Sequence, residues 1–136
     1  MTLKAPKDLL TGIATIDAQH AELFKRVNLL YQACMDKHGR EEVLNTMDYL
    51  EYHLKVHMHE EEHYMIKNSY PSYLEHRASH SQFLDIYKGL VEKYNAEGSS
   101  AEFITTINKS LRNWILTHIQ NEDLKLATFL KTIEKE

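Results

Sequence analysis

Two short stretches and three isolated residues give this chain many side chains of the kinds that bind metal ions. The stretch HMHEEEHYM (57–65) contains three histidines and three glutamates, and HRASH (76–80) contains two histidines four residues apart. His20, His118 and Asp123 lie outside these stretches. Imidazole nitrogens together with carboxylate oxygens favour transition ions such as iron or manganese. Taken alone, HMHEEEHYM is more typical of a solvated helix face than of a metal site. HRASH alone is as typical of a histidine pair on the surface or satisfied in the core as it is of a metal site.

Helical spacing separates the candidate ligands in HMHEEEHYM from the other polar residues nearby. Residues four apart on a helix differ by about 40° in direction, so His57 and Glu61 share one face. We expect the other polar residues to lie in solvent or at the edges of that face: His53, His59, Glu60, Glu62 and His63. His53 lies one turn before His57, which would also allow a hydrogen bond to that histidine.

The elements that must position these residues are helices. Apolar residues recur at alternating steps of three and four in four stretches, which is the period of amphipathic helices. We expect an N-terminal arm over residues 1–15, core helices at about 17–37, 41–67, 72–95 and 100–118, and a short helix at about 122–133. Asp17 and either Ser99 or Ser100 are the expected N-caps of the first and fourth helices. Short connections predict an all-α fold in one domain, an antiparallel up-down-up-down four-helix bundle with a short extra C-terminal helix.

Every core helix carries polar residues where its pattern requires apolar ones. These residues are His20, His57, Glu61, His76, His80 and His118. Burying a polar group without a partner costs about 2–7 kcal/mol, while a whole domain is stable by only about 5–15 kcal/mol. The six side chains must therefore be satisfied by one another or by something bound among them.

Asp123 is a seventh candidate whose position is less straightforward. It follows His118 by five residues, and in a regular α-helix that spacing turns the side chain away by about 140°. Asp123 joins the cluster only if the helix breaks or kinks around residues 119–122, with Asn121 as the expected N-cap of a restart. Five imidazoles and two carboxylates exceed the four ligands of zinc and suit two ions bridged by the carboxylates.

The motifs that carry these residues resemble those of the hemerythrins, in particular the single-domain bacteriohemerythrins. They are GIATIDAQH (12–20), the H-x-x-x-E-E-x-x-M pattern (57–65), YPSYLEHRASHSQF (70–83) and WILTHIQNED (114–123). The similarity runs from about Gly12 to Leu130. It implies a non-haem centre of two iron ions that binds O₂ reversibly.

The resemblance also implies a role for each residue. One iron would be held by His76, His80 and His118, and the other by His20 and His57. Glu61, Asp123 and an oxo or hydroxo group would bridge the two ions. The O₂ pocket would be lined by Leu23, Met58, Trp114, Ile115 and Ile119. The family usually has phenylalanine at the position of Met58.

Composition and charge indicate the compartment and the partners to expect for this protein. No apolar run approaches the about 20 residues of a membrane span, and the N-terminus lacks the apolar core of a secretory signal. Cys34 is the single cysteine, and the net charge of −4 comes without a basic patch. We expect a cytoplasmic monomer that binds neither membrane nor nucleic acid.

The expected function is the transport, storage or delivery of oxygen, without enzymatic activity. Two alternatives remain open at this point. A di-iron oxidase, peroxidase or ferroxidase is one, motivated by Met58, Tyr52, His53 and Tyr64. An oxygen or redox sensor module that acts on a separate partner is the other.

Overall fold

The chain folds into a bundle of four helices, as the sequence predicts. The computed structural model describes residues 10–134, so residues 1–9 of the predicted N-terminal arm lie outside the described part, as do the last two residues. The helices are Ala14–Met35, Arg40–Lys67, Tyr73–Glu97 and a fourth that runs through residues 101–134. Within that part no strand is found, and consecutive helices pack side by side, with the fourth also against the first. The prediction of an all-α bundle is confirmed.

The starts of two helices show how local hydrogen bonds fix their positions. Ser100 is the N-cap of the fourth helix, as expected, and its hydroxyl accepts a hydrogen bond from the Phe103 N–H at 3.0 Å. Asp17 is not the N-cap of the first helix, which begins three residues earlier. Its carboxylate instead accepts hydrogen bonds from the backbone N–H groups of Thr11 at 2.8 Å and Gly12 at 3.1 Å. Asp17 therefore ties the preceding turn to the helix.

The fourth helix is not a regular α-helix along its length. Its α-helical segments are Ala101–Thr106, Asn113–His118 and Leu124–Glu134, and they are joined by π-helical segments at Ile107–Arg112 and Ile119–Asp123. A π turn has hydrogen bonds between residues five apart and so accommodates one extra residue. The expected break after His118 is thus a π turn. The expectation of a restart capped by Asn121 was wrong, because the C-terminal helical segment follows without a loop.

Most of the bundle interior is apolar, and most positions expected to face inward are buried; the exceptions include Tyr73, Ile104 and Trp114, which are half-buried, and Tyr64 and Ile133, which are partly exposed. Tyr64 is 37% exposed, whereas the next residue, Met65, is fully buried. The Tyr87 hydroxyl donates a hydrogen bond of 2.6 Å to the Met47 carbonyl oxygen and so joins the second and third helices. No helix in the described part of the chain is long and apolar enough to cross a membrane.

Candidate metal centre

The bundle brings all seven candidate ligands into one buried cluster. The first helix contributes His20, the second His57 and Glu61, the third His76 and His80, and the fourth His118 and Asp123. Each of the seven side chains is at most 6% exposed. All four helices therefore meet at a single polar site inside an otherwise apolar core.

The cluster divides into two overlapping groups in which the ligand atoms all lie within 4.8 Å of one another. One group consists of Glu61, His76, His80, His118 and Asp123, and the other of His20, His57, Glu61 and Asp123. Only the two carboxylates belong to both groups. Two ions placed in these groups would share the carboxylates and would have three and two histidines of their own.

Asp123 lies between the two groups. Its Oδ1 is 2.9 Å from His118 Nε2 and 3.0 Å from His76 Nε2. Its Oδ2 is 2.8 Å from His20 Nε2 and 3.5 Å from His57 Nε2. The π turn Ile119–Asp123 explains this position, because a helix with bonds between residues five apart returns Asp123 to the face that carries His118.

Glu61 connects the same groups from the second helix. Its Oε1 lies 3.2 Å from His57 Nε2, 3.3 Å from His76 Nε2 and 3.1 Å from His80 Nε2. A single carboxylate oxygen thus faces imidazoles of both groups.

Many of these buried atoms lack a hydrogen-bond partner among the described residues. They are His57 Nε2, Glu61 Oε2, His76 Nδ1 and Nε2, His118 Nε2 and Asp123 Oδ1. Carboxylate oxygens are near several of the nitrogens, but not in hydrogen-bonding geometry. Each buried polar group without a partner destabilises the fold. A bound cation would satisfy these nitrogen and oxygen atoms together, so the donor set fits metal ions.

The carboxylates and imidazoles perturb one another strongly. Burial raises the pKa of Glu61, and the charge of Asp123 raises it further. Burial would also raise the pKa of Asp123, but the charge of the neighbouring His118 outweighs this and holds the pKa low. Burial lowers the pKa of His76, yet its two carboxylate neighbours raise it to about 9. The pKa of His80 falls to about 2 through burial and the charges of His118 and His76. Protons would therefore compete with any metal ion that binds at this site.

Three residues outside the predicted set contact the outward-facing nitrogens of three of the histidines. Gln19 Oε1 lies 2.6 Å from His57 Nδ1. Glu62 Oε2 lies 3.1 Å from His80 Nδ1, and Ser79 Oγ lies 2.8 Å from His118 Nδ1.

These outer partners were not predicted from the sequence. Glu62 was expected in solvent, but its side chain is only 26% exposed because it reaches His80 on the third helix. His53, considered as a partner of His57, has its Nε2 3.9 Å from Glu22 instead. One signal for the missed residues is present in the sequence. Gln19 and Ser79 each directly precede a candidate ligand, and Glu62 directly follows one.

A cavity of about 10 Å³ adjoins the cluster. Its lining residues are Leu23, Leu54, His57, Met58, His80, Trp114, Ile115, His118, Ile119 and Asp123. All five residues predicted to line a pocket are among them, and Leu54 is an addition. The Trp114 ring stacks on His118, with centroids 4.5 Å apart and planes 11° apart. Tyr52 and Tyr64 are 63% and 37% exposed, and neither lines the cavity.

Comparison with known proteins agrees with this architecture. The family model of the hemerythrin HHE cation binding domain matches residues 11–130. The matched range contains every residue of the cluster and of the cavity. The search of curated proteins found no match.

Proposed function

The chain belongs to the hemerythrin family, and on that premise we propose that it holds two iron ions at this centre and binds O₂ reversibly beside them. The observation that carries the proposal is a buried cluster of histidine, glutamate and aspartate that could bind metal and that adjoins a very small apolar cavity. Transport, storage or delivery of oxygen is the role that follows.

Under this proposal each carboxylate serves both ions. Glu61 and Asp123 belong to both groups of donors, while the five histidines divide three to two. The ion with two histidines has fewer protein ligands, so it is the one that would leave a position open for O₂. When bound, the two ferrous ions supply the electrons that make O₂ binding possible.

The cavity favours a small ligand over an organic substrate. A volume of about 10 Å³ is close to the least that holds one water molecule. A diatomic gas fits with slight movement of the aliphatic side chains, whereas an organic substrate does not.

The lining of the cavity favours reversible binding over turnover. Among the described residues around it, no hydroxyl, amine or carboxylic acid outside the cluster is present. Leu23, Leu54, Met58 and Ile115 instead exclude water from the space beside the ions. Proton delivery to a bound ligand is therefore slow, and loss of the ligand as a reduced oxygen species is disfavoured.

The proposal is tested by loading the metal-free protein with ferrous iron under argon and recording its optical spectrum in argon, in air and in argon again. We expect two iron ions per chain, and a visible charge-transfer band that appears in air and disappears when the gas is removed. Repeating the cycle several times measures how much of the band is lost on each exposure.

The control is Asp48→Asn, which changes an exposed carboxylate on the second helix outside the cluster and should behave as the wild type. Iron that becomes ferric on the first exposure to air, without a band that reverses, would contradict reversible binding. That result together with steady consumption of H₂O₂ or Fe²⁺ would instead support a redox enzyme.

A further inference from the structure

Two of the candidate ligands, one from each group, have outer partners that differ in charge. His80, in the group with three histidines, contacts the Glu62 carboxylate. His57, in the group with two histidines, contacts the neutral amide of Gln19. We infer that Glu62 and Gln19 are positioning residues that make the two metal sites unequal, with the tighter site on the side of Glu62. This inference rests on the metal binding in the proposed function.

The contacts of Gln19 determine which nitrogen of His57 carries the proton. The Gln19 amide nitrogen contacts the Glu60 carboxylate, which only accepts hydrogen bonds. The amide N–H group must therefore face Glu60, which leaves the amide oxygen facing His57 Nδ1. That oxygen only accepts, so Nδ1 donates and Nε2 presents its lone pair to the cluster. Gln19 thus holds His57 in the tautomer that can bind a metal ion.

Glu62 has the same effect on His80 but adds a negative charge. A carboxylate accepts from His80 Nδ1–H at 3.1 Å, so the lone pair of Nε2 again faces inward. Arg77 Nε is 4.0 Å from the other Glu62 oxygen, and Glu62 is 26% exposed, so solvent and this cation weaken the charge without removing it. A carboxylate behind an imidazole raises the basicity of the nitrogen that binds the metal, and a charge-assisted hydrogen bond is stronger than a neutral one.

The two partners should therefore affect different ions. Loss of such an outer partner typically weakens metal binding by about 10–100-fold. Among the candidate ligands, Glu62 contacts a histidine of the three-histidine group and Gln19 contacts a histidine of the two-histidine group. Each substitution should consequently change one of two binding steps and leave the other nearly unchanged.

The experiment is a Co²⁺ titration of the metal-free full chain in competition with a chelator, followed by absorption. We expect the wild type to bind two ions in two resolved steps. Glu62→Gln, which keeps the shape and removes the charge, should weaken the tighter step at least about tenfold. Gln19→Leu, which removes the acceptor, should weaken the weaker step by a similar factor. Glu92→Gln, an exposed change on the third helix outside the cluster, is the matched control and should alter neither step.

A second measurement separates positioning from general loss of structure. In the Zn²⁺-loaded protein, ¹⁵N NMR of the imidazoles should show a protonated Nδ1 in His57 and His80. Glu62→Gln should shift the His80 Nδ1–H signal and leave that of His57 in place. Substitutions that weaken both steps equally, or a tighter step within twofold of wild type in Glu62→Gln, would overturn the inference. A wild-type chain that binds fewer than two ions would instead overturn the proposed function on which it rests.

Discussion

Metal binding should stabilise the folded chain, and the size of this effect follows from the number of sites and their saturation. A ligand that binds only the folded state at 100 times its Kd stabilises it by about 2.7 kcal/mol per site, hence by about 5 kcal/mol for two sites. The entropy of unfolding is about 2.1 cal/mol/K per residue. For a chain of 136 residues, loading with ferrous iron under argon should therefore raise the melting temperature by about 15–20 °C.

Asp123→Asn should remove most of this increase. The Asp123 carboxylate lies within 3.5 Å of Nε2 atoms from four histidines, and it belongs to both groups of donors. A neutral amide in its place offers one weaker oxygen donor and no charge to balance the cations. We expect the increase in melting temperature to fall below about a third of the wild-type value, since both sites lose a ligand.

The assay is thermal unfolding followed by circular dichroism, with and without ferrous iron under argon. Asp48→Asn changes an exposed carboxylate of the second helix and should keep the full increase. If Asp123→Asn melted with the wild-type increase, Asp123 would not be a ligand shared by two ions, and the division into two overlapping sites would be refuted.

Three further predictions concern the cavity, the first helix and the cysteine. Ile115→Phe fills the cavity of about 10 Å³, so the variant should bind two iron ions but lose the optical change in air. Iron analysis and optical spectra recorded in argon and in air test this. An unchanged spectral response would place O₂ elsewhere. Burial raises the pKa of Asp17, but hydrogen bonds from Thr11 and Gly12 outweigh this and lower the pKa. The ionised Asp17 carboxylate therefore stabilises the fold at pH 7, and this stabilisation is lost as the pH falls through the lowered pKa. Urea unfolding should show that Asp17→Asn costs about 1 kcal/mol at pH 7 and progressively less below about pH 4; an equal cost at pH 3 would contradict the argument. Cys34 is buried, and burial raises the pKa of its thiol. A thiol reagent should therefore react with Cys34 at neutral pH only after the chain unfolds. Fast labelling of the folded chain would show that this end of the bundle opens.

The helical fold could be predicted because its signal is spread over many residues. Alternating steps of three and four recur through each helix, so one misplaced residue, such as Tyr64, does not change the interpretation. The cluster was predictable for a related reason. A single buried histidine has many explanations, but polar residues on the inward faces of all four helices must be satisfied by one another or by something bound among them.

The exact path of the fourth helix could not be predicted in the same way. The spacing of His118 and Asp123 shows that a regular α-helix cannot place both side chains in the cluster. A capped restart and a π turn would each turn the Asp123 side chain toward the cluster. The segment IQNED contains neither proline nor glycine to decide between them. The structure selects the π turn, which keeps the backbone hydrogen-bonded throughout and needs no cap.

The outer partners depend on the relation between helices, which periodicity within one helix does not contain. A residue next to a ligand is turned by about 100° around its own helix, so it faces the neighbouring helix and not the centre. From there Gln19 of the first helix reaches His57 of the second, and Glu62 of the second reaches His80 of the third.

Ser79 extends the same arrangement from the third helix to His118 of the fourth. Each of the first three helices thus contacts a histidine of the next helix through a residue adjacent to its own candidate ligand. Sliding any helix by one turn, about 5.4 Å, would break this outer hydrogen bond and move a ligand away from the centre at the same time. The proposed metal binding would therefore be coupled to the alignment of the four helices, because His57, His80 and His118 direct Nε2 into the cluster in the same alignment that gives their Nδ1 atoms a partner.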